Sequence, residues 1–266
     1  MKDQLEHLTD RILYIDCIEG MKLIPTASID LILCDLPYGI TARNKWDSQI
    51  DLAALWKEYE RIIKPHGAIV LFGSGIFSAD VMQAGRKMHR YNLVWEKTTP
   101  TGFLNARRQP LRSHEDLLVF YKAQPTYNPQ KTGGHKRKVS TAAHHVNARR
   151  SMVYEDVAPT SYDSTERYPT SVLKFKTDRQ KSAIHPTQKP LALCRWIIRT
   201  YTNPGDVVLD NACGSGTTCE AAKMEGRHYI GMDNGKCEDK ASPYFGKTWA
   251  EISRDRVAGK LKGAKP

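Results

Sequence analysis

Short apolar runs alternate with amphipathic stretches along this chain, and this alternation limits its fold more than any other feature. Residues 30–34 and 68–72 are almost continuously apolar, which is typical of parallel strands covered by helices on both faces. Residues 52–63 carry apolar side chains at helical spacing, and we expect Pro65 and Gly67 to end that helix. The pattern predicts an α/β fold. Further strands are predicted at residues 11–15, 91–95, 117–121, 206–209 and 229–232, and further helices at residues 77–88, 191–201, 217–224 and 247–257.

Residues 122–184 interrupt the alternation and carry much of the positive charge. The chain of 266 residues has 40 Lys and Arg against 29 Asp and Glu, a formal net charge of +11. Twelve of those Lys and Arg, against five Asp and Glu, fall in this segment among five aromatic residues. Such a mixture favours a nucleic-acid surface, with a solvated loop as the alternative. We predict an insertion between core parts at 1–121 and 185–258, with a basic tail at 259–266. The candidate nucleic-acid contacts are Lys136, Arg137, Lys138, Arg149 and Arg150.

The sequence disfavours several other classes of protein. No apolar run approaches the roughly 20 residues of a membrane-spanning helix. The first residues lack an apolar stretch of the signal-peptide type. The six cysteines form no C-x-x-C pair, which disfavours a zinc ribbon, and we predict no metal site. We expect the cysteines to be small buried side chains in a reducing compartment, the cytoplasm.

A predicted strand, a glycine-rich turn and a helix follow one another over residues 207–218. Gly214 and Gly216 allow a ligand to approach the backbone closely. Asp210 ends the strand, where its carboxylate can take a ligand ammonium group. Asp233 ends the next strand 23 positions later. A Rossmann-type fold places an acid that binds ribose hydroxyls at about this spacing. The third glycine of the dinucleotide-binding fingerprint is missing, and Asp210 at the start of the loop would repel a pyrophosphate. Both features disfavour NAD. The turn favours S-adenosylmethionine, which has a cationic head and a ribose, with a purely structural turn as the alternative.

A second polar motif follows the predicted strand 30–34, at the edge where open α/β sheets bind ligands. Asp35 and the backbone carbonyl of Leu36 can accept the two N–H groups of an adenine amino group. That hydrogen bonding frees the nitrogen lone pair from the ring. Pro37 stiffens the turn, and Tyr38 offers a face for stacking on the base. An ordinary proline-containing turn is the alternative.

Together the two motifs resemble those of the amino DNA methyltransferases, which methylate adenine N6 or cytosine N4 with S-adenosylmethionine. The catalytic motif of that family is Asp/Asn/Ser-Pro-Pro-Tyr/Phe, and here it reads Asp35, Leu36, Pro37, Tyr38. The catalytic loop precedes the cofactor turn, an order similar to that of the circularly permuted β class. The resemblance covers most of the chain. It implies a Rossmann-like methyltransferase fold, circularly permuted, with residues 122–184 as an inserted target-recognition region.

The resemblance also implies a set of cofactor contacts. Residues 13–17 are similar to the segment that holds the cofactor adenine, through Asp16. Residues 185–190 are similar to the segment that closes on the methionine end, which puts Lys189 near the cofactor carboxylate or, alternatively, on the surface. Trp46 is either a mobile lid residue or a core anchor. The predicted contacts are Asp16, Cys17, Asp35, Thr187, Lys189, Asp210, Ala212, Gly214, Ser215, Gly216, Thr217 and Asp233.

The resemblance leaves the target base open between adenine and cytosine. Asp35 favours adenine, because cytosine-N4 members usually carry Ser at that position. An NAD-linked oxidoreductase leaves the Asp35–Tyr38 motif unexplained, and the intact Asp35 and Tyr38 argue against an inactive DNA-binding relative. We predict a bacterial or phage-encoded adenine-N6 methyltransferase that acts on double-stranded DNA by base flipping. Dimers are common in the resembling class, so a homodimer is a further prediction.

Overall fold

The computed structural model describes residues 2–38, 50–141, 161–178, 184 and 188–261. The chain divides into two compact units, a larger one of residues 1–128 and 171–266 and a smaller one of residues 129–170. The helices of the larger unit are α1 (Lys2–Leu8), α2 (Cys17–Lys22), α3 (Leu52–Ile62), α4 (Ile76–Ala84), α5 (Leu191–Tyr201), α6 (Thr217–Met224) and α7 (Trp249–Val257). Its strands are β1 (Arg11–Tyr14), β2 (Ile29–Cys34), β3 (Ile63–Gly73), β4 (His89–Thr101), β5 (Arg112–Phe120), β8 (Val172–Phe175), β9 (Val207–Asp210) and β10 (His228–Asp233).

The eight strands of the larger unit form one sheet in the order β1-β10-β9-β2-β3-β5-β4-β8. Neighbours from β1 to β3 are parallel, β5 is antiparallel to both β3 and β4, and β8 is parallel to β4. The carboxyl ends of β1, β10, β9 and β2 therefore meet at one edge of the sheet, which we call the carboxyl edge. Open α/β sheets bind their ligands at this edge.

The middle of the sheet is covered on both faces, as the continuous apolar runs predicted. All four residues of β9 and five of the six residues of β2 are buried. Side chains of α2, α3 and α4, such as Met21, Tyr59 and Val81, fill one face. Side chains of α5 and α6, such as Ile197 and Ala221, fill the other. The α/β prediction is confirmed, and each predicted strand and helix has a counterpart within a few residues of its expected position, although several differ in length.

Two predicted boundaries are corrected by the structure. Helix α3 ends at Ile62 and β3 begins at Ile63, so Pro65 and Gly67 lie in the strand rather than between the elements. Residues Pro65 and His66 are exposed at the start of β3, where a missing N–H costs little. The basic segment predicted at 122–184 is also longer than the smaller unit, because Val172–Phe175 returns to the main sheet beside β4.

In the smaller unit, β6 (Lys138–Ser140) pairs with β7 (Tyr162–Ser164) in antiparallel fashion. An isolated bridge joins Thr132 to Arg167. The side chain of Arg167 donates to the backbone oxygens of Ser164, Glu166 and Lys136. The described part of this unit is thus held by backbone pairing and by side-chain hydrogen bonds, those of Arg167 among them.

Candidate active site

The Asp35–Tyr38 loop begins where β2 reaches the carboxyl edge. The Leu36 side chain is buried in the core, which anchors the loop. The Tyr38 hydroxyl donates to Asp35 Oδ1 at 3.0 Å. The Tyr38 ring stacks on Phe77, with ring centroids 4.5 Å apart and an interplanar angle of 26°. The loop therefore presents a fixed carboxylate next to a fixed aromatic ring.

Asp35 is one end of a chain of four alternating charges. Lys189 Nζ lies 2.7 Å from Asp35 Oδ2 and 3.1 Å from Glu115 Oε2. The other oxygen of Glu115 lies 2.5 Å from Lys97 Nζ. The side chains of Lys97 and Lys189 are only 6% and 12% exposed, so both ammonium groups depend on these carboxylates for their stabilisation. We call Asp35, Lys189, Glu115 and Lys97 the charge network.

The charges of the network shift each other's pKa. Burial lowers the pKa of Lys189, but Asp35 and Glu115 outweigh it and hold that pKa above its usual value. For Glu115, burial acts to raise the pKa, and the two lysines outweigh it and hold the pKa low. For Asp35, burial prevails over the attraction of Lys189, and its pKa is raised. Lys189 therefore stays an ammonium and Glu115 a carboxylate.

Two members of the network were missed by sequence reasoning. Both Lys97 and Glu115 lie outside the predicted strands 91–95 and 117–121, and neither was given a role. The sequence holds one signal for them, since each is a charged residue two positions from the end of an apolar strand core. Lys189 was predicted near the cofactor carboxylate or on the surface; the structure shows its side chain largely buried, with its ammonium on Asp35.

The glycine turn between β9 and α6 is held from behind by α7. Gly214 and Gly216 have φ of +47° and +78°, which glycine adopts without strain. Ser253 Oγ donates to the Gly214 carbonyl at 2.5 Å, and a Cβ on Gly216 would lie 2.9 Å from Ser253 Cβ. The buried Arg256 donates to Ser215 Oγ, to Thr217 Oγ1 and to Glu220. Ser253 and Arg256 were not predicted, because they lie about 40 residues after the turn.

Asp233 and Asp16 differ in how they are held. Asp233 accepts from Gly214 N–H at 2.9 Å and from Gly235 N–H at 2.8 Å, so both of its oxygens are fixed in place. Burial raises the pKa of Asp233 although these N–H groups act to lower it. Asp16 caps α2 by accepting from the N–H groups of Ile18 and Glu19. Asp16 thus has a structural role beside the predicted one, and Cys17 is the first residue of α2.

Asp210 is almost fully buried, and burial raises its pKa to about 7. Within the part of the chain described, the groups found on it are Thr218, the Ala212 N–H and Cys34, and none of these is a cation. Next to it, Asn211 accepts from the Tyr59 hydroxyl at 2.7 Å, while its buried Nδ2 has no protein acceptor among the described residues. Ala212 packs against the core. A buried acid and a buried amide donor beside a glycine turn fit a polar ligand with a cationic group.

The predicted DNA contacts that the structure describes lie in the smaller unit. Arg137 forms a two-point ion pair with Asp163 at 2.8 Å and 2.6 Å, so its charge is partnered within the protein. Lys136 and Lys138 are exposed. Trp46, Arg149, Arg150, His185 and Thr187 lie outside the described residues.

Five of the six cysteines are buried, as expected, and all six are free thiols. No helix among the described residues is both long and apolar enough to cross a membrane.

Comparison with known sequences places most of the chain in one family. The N6/N4 methyltransferase family model, described as DNA methylase, matches residues 29–239. The Type II methyltransferase M.HinfI of Haemophilus influenzae is 31% identical to this chain over 264 residues, which cover 88% of this chain and 67% of that protein.

Solved structures of similar fold cover almost the whole chain. The M1.HpyAVI–SAM complex has a TM-score of 0.60 at 22% identity and covers 93% of this chain and 98% of its own. The cytosine-N4-specific PvuII DNA methyltransferase has a TM-score of 0.61 at 14% identity, covering 94% of this chain and 93% of its own. At these identities the structures bear on the fold, and they confirm the predicted Rossmann-like methyltransferase fold.

Proposed function

Since this chain belongs to the N6/N4 DNA methylase family and is a DNA methyltransferase that uses S-adenosylmethionine, we propose that it methylates the exocyclic N6 of adenine in double-stranded DNA. The observation that carries the proposal is the position of Asp35 at the carboxyl edge, hydrogen-bonded by Tyr38 and paired with Lys189. An adenine amino group needs an acceptor and a stacking surface together, and this loop offers both.

Asp35 has acceptor capacity left for a substrate. A carboxylate offers about four acceptor positions, and the contacts described here use two of them, one for the Tyr38 hydroxyl and one for Lys189. In the proposed reaction the carboxylate accepts one N6–H while the Leu36 carbonyl accepts the other. The negative charge of Asp35 then stabilises the cationic amine that forms as the methyl group arrives.

Lys189 competes with the target base for the same place. Its ammonium lies 2.7 Å from Asp35 Oδ2 and 5.9 Å from the centroid of the Tyr38 ring. This ammonium lies on the Asp35 oxygen where we place the target amino group. We infer that base entry moves Lys189 toward Glu115, whose Oε2 already lies 3.1 Å from the ammonium. Glu115 thus keeps the buried ammonium paired in both states.

The residues around the glycine turn fit the cofactor. S-adenosylmethionine supplies an electrophilic methyl group on a sulfonium centre. Asp233, fixed by two N–H groups, suits the ribose hydroxyls, and Asp16 suits the adenine amino group. Asp210, buried without a described cation, suits the methionine ammonium, which would restore its charge. Gly214 leaves open space beside the turn, because a Cβ there would meet nothing within 4 Å.

The smaller unit is proposed to contribute to target recognition. Its exposed Lys136 and Lys138 suit phosphate contacts, whereas Arg137 is already paired with Asp163. A homodimer on DNA stays a prediction from the family resemblance.

Identification of the methylated nucleoside tests the proposed target. Wild-type protein is incubated with unmodified duplex DNA and labelled S-adenosylmethionine, and the digested product is analysed by mass spectrometry. We expect N6-methyladenine. N4-methylcytosine as the product would overturn the assignment of the base, and the absence of any methylated nucleoside would overturn the proposed activity of this chain.

A further inference from the structure

The β4–β5 hairpin extends past the catalytic residues at the carboxyl edge. Glu115 lies opposite Trp95 in the β4–β5 pair. The two strands continue beyond this point as far as the pair of Thr101 and Arg112. Strands rise about 3.3 Å per residue, so the hairpin continues roughly 10 Å beyond Glu115. Residues 102–111, which we call the hairpin tip, therefore project beyond the charge network that contains Asp35.

The hairpin tip exposes apolar side chains on an ordered backbone. Phe103 is 80% exposed and Leu104 is 101% exposed. The backbone around them is fixed by consecutive turns, with Asn105 N–H donating to Gly102 and Arg108 N–H donating to Asn105. Gly102 begins these turns with φ of +88°. Scattered exposed apolar residues are common, but a fixed adjacent pair at the end of a projecting hairpin is not.

The charge around this pair suits a polyanion. Arg107, Arg108 and Arg112 follow it, and no Asp or Glu occurs between Glu96 and Glu115. Duplex DNA is polyanionic outside and apolar within its base stack. The hairpin tip combines both features, because exposed arginines follow its exposed apolar pair within four residues.

We propose that the hairpin tip is a wedge that enters the DNA duplex, with Phe103 and Leu104 filling the space left by the extruded base. The proposal rests on the proposed function, because only extrusion of a base creates that space. Apolar side chains of this kind enter base steps in other DNA-binding proteins. Arg107 and Arg108 would contact the neighbouring phosphates.

The test compares a paired target with a mispaired one. Phe103→Ala with Leu104→Ala is assayed by single-turnover methyl transfer on a duplex whose mapped target base is either paired or mismatched. A mismatched base costs less to extrude. We expect the paired duplex to react roughly tenfold to a hundredfold more slowly than with wild type, and the mismatched duplex less than about threefold more slowly.

A matched control uses an apolar residue at the opposite edge of the sheet. Met224 is 40% exposed at the end of α6, before β10 begins, and Met224→Ala should leave both rates unchanged. Circular dichroism and thermal melting establish that each variant is folded. Arg107→Gln with Arg108→Gln should weaken binding to any DNA and flatten the plot of log affinity against log salt by ~0.9 per lost contact.

The outcomes separate the wedge from the proposed function. If wild type methylates no DNA, the proposed function fails. Suppose that wild type is active. If the Phe103/Leu104 variant transfers methyl more slowly by the same factor on both duplexes, or is not slowed on either, the wedge is overturned. A change in sedimentation of that variant, with both rates intact, would show that a second copy of the chain covers the tip and would also overturn the proposal.

Discussion

At the scale of single residues, the protein keeps four largely buried charges together at the carboxyl edge of the sheet. Breaking a buried ion pair by removing one partner leaves an uncompensated charge, whereas loss of an exposed pair changes little. Two glutamates on the neighbouring strands β4 and β5 allow this difference to be measured. Glu115 bridges two buried lysines, and Glu96 pairs with the exposed Lys174.

Glu115→Gln should lower the free energy of unfolding by about 3 kcal/mol and slow methyl transfer, because Lys97 loses its carboxylate and Lys189 is left on Asp35 alone. Glu96→Gln, the matched control, should cost less than ~1 kcal/mol and leave transfer unchanged. Urea unfolding and single-turnover transfer measure the two effects. Equal stability of the two variants would contradict the role given to Glu115.

Asp210 should make the stability of the unliganded protein depend on pH. Burial raises its folded-state pKa to about 7, above the unfolded value near 3.9, so the folded state binds the proton more tightly. The stability that protonation of Asp210 contributes to the folded state is complete below the unfolded pKa and is lost as the pH rises toward 7. Asp210→Asn should therefore gain stability over wild type across this window, reaching about 4 kcal/mol above pH 7.

The same variant should bind S-adenosylmethionine more weakly, since Asp210 is the proposed partner of the ammonium group. Calorimetry at pH 8 and urea unfolding between pH 5 and 8 measure the two effects. If the stability difference between Asp210→Asn and wild type does not grow with pH, the raised pKa of Asp210 is refuted.

At the scale of secondary-structure elements, local sequence patterns predicted most helices and strands. They did not predict the long-range contacts between those elements. Helices α5 and α6 have their predicted bounds, because an amphipathic pattern or a glycine turn marks each one. The six-residue α2 was not predicted, because it is too short for a periodic signal. The charge network joins residues 35, 97, 115 and 189 and the turn is backed by residues 253 and 256. No local pattern reports such distant partners.

Packing of α7 against the glycine turn leads to a prediction at this scale. Gly216→Ala forces a side chain into φ of +78° and brings its Cβ to 2.9 Å from Ser253. Gly205→Ala is the matched control, because φ is +86° there and nothing lies within 4 Å. The strain costs ~1–2 kcal/mol at each site, and Gly216→Ala should cost more and also weaken cofactor binding. Equal unfolding free energies and equal cofactor affinities would contradict the account.

At the scale of the whole molecule, the sheet order explains how motifs from the two ends of the chain meet. Strand β9 ends at Asp210, just before the glycine turn, and it pairs directly with β2, which ends at Cys34, just before Asp35. The proposed catalytic loop near one end of the sequence and the proposed cofactor turn near the other thus follow adjacent strands at one edge. The order of motifs in the sequence predicted this permuted arrangement through the family resemblance.

Single-turnover methyl transfer by Asp35→Ala tests the central claim most directly. Asp35 contributes an acceptor and a negative charge to the reacting amino group, so its loss should slow transfer by ~10²–10³, while cofactor affinity measured by calorimetry stays nearly intact. Tyr38→Phe is the comparison, because it keeps the ring stacked on Phe77 and loses only the hydrogen bond to Asp35, and its effect should be mild. An Asp35→Ala protein that forms N6-methyladenine at nearly the wild-type rate would contradict the account.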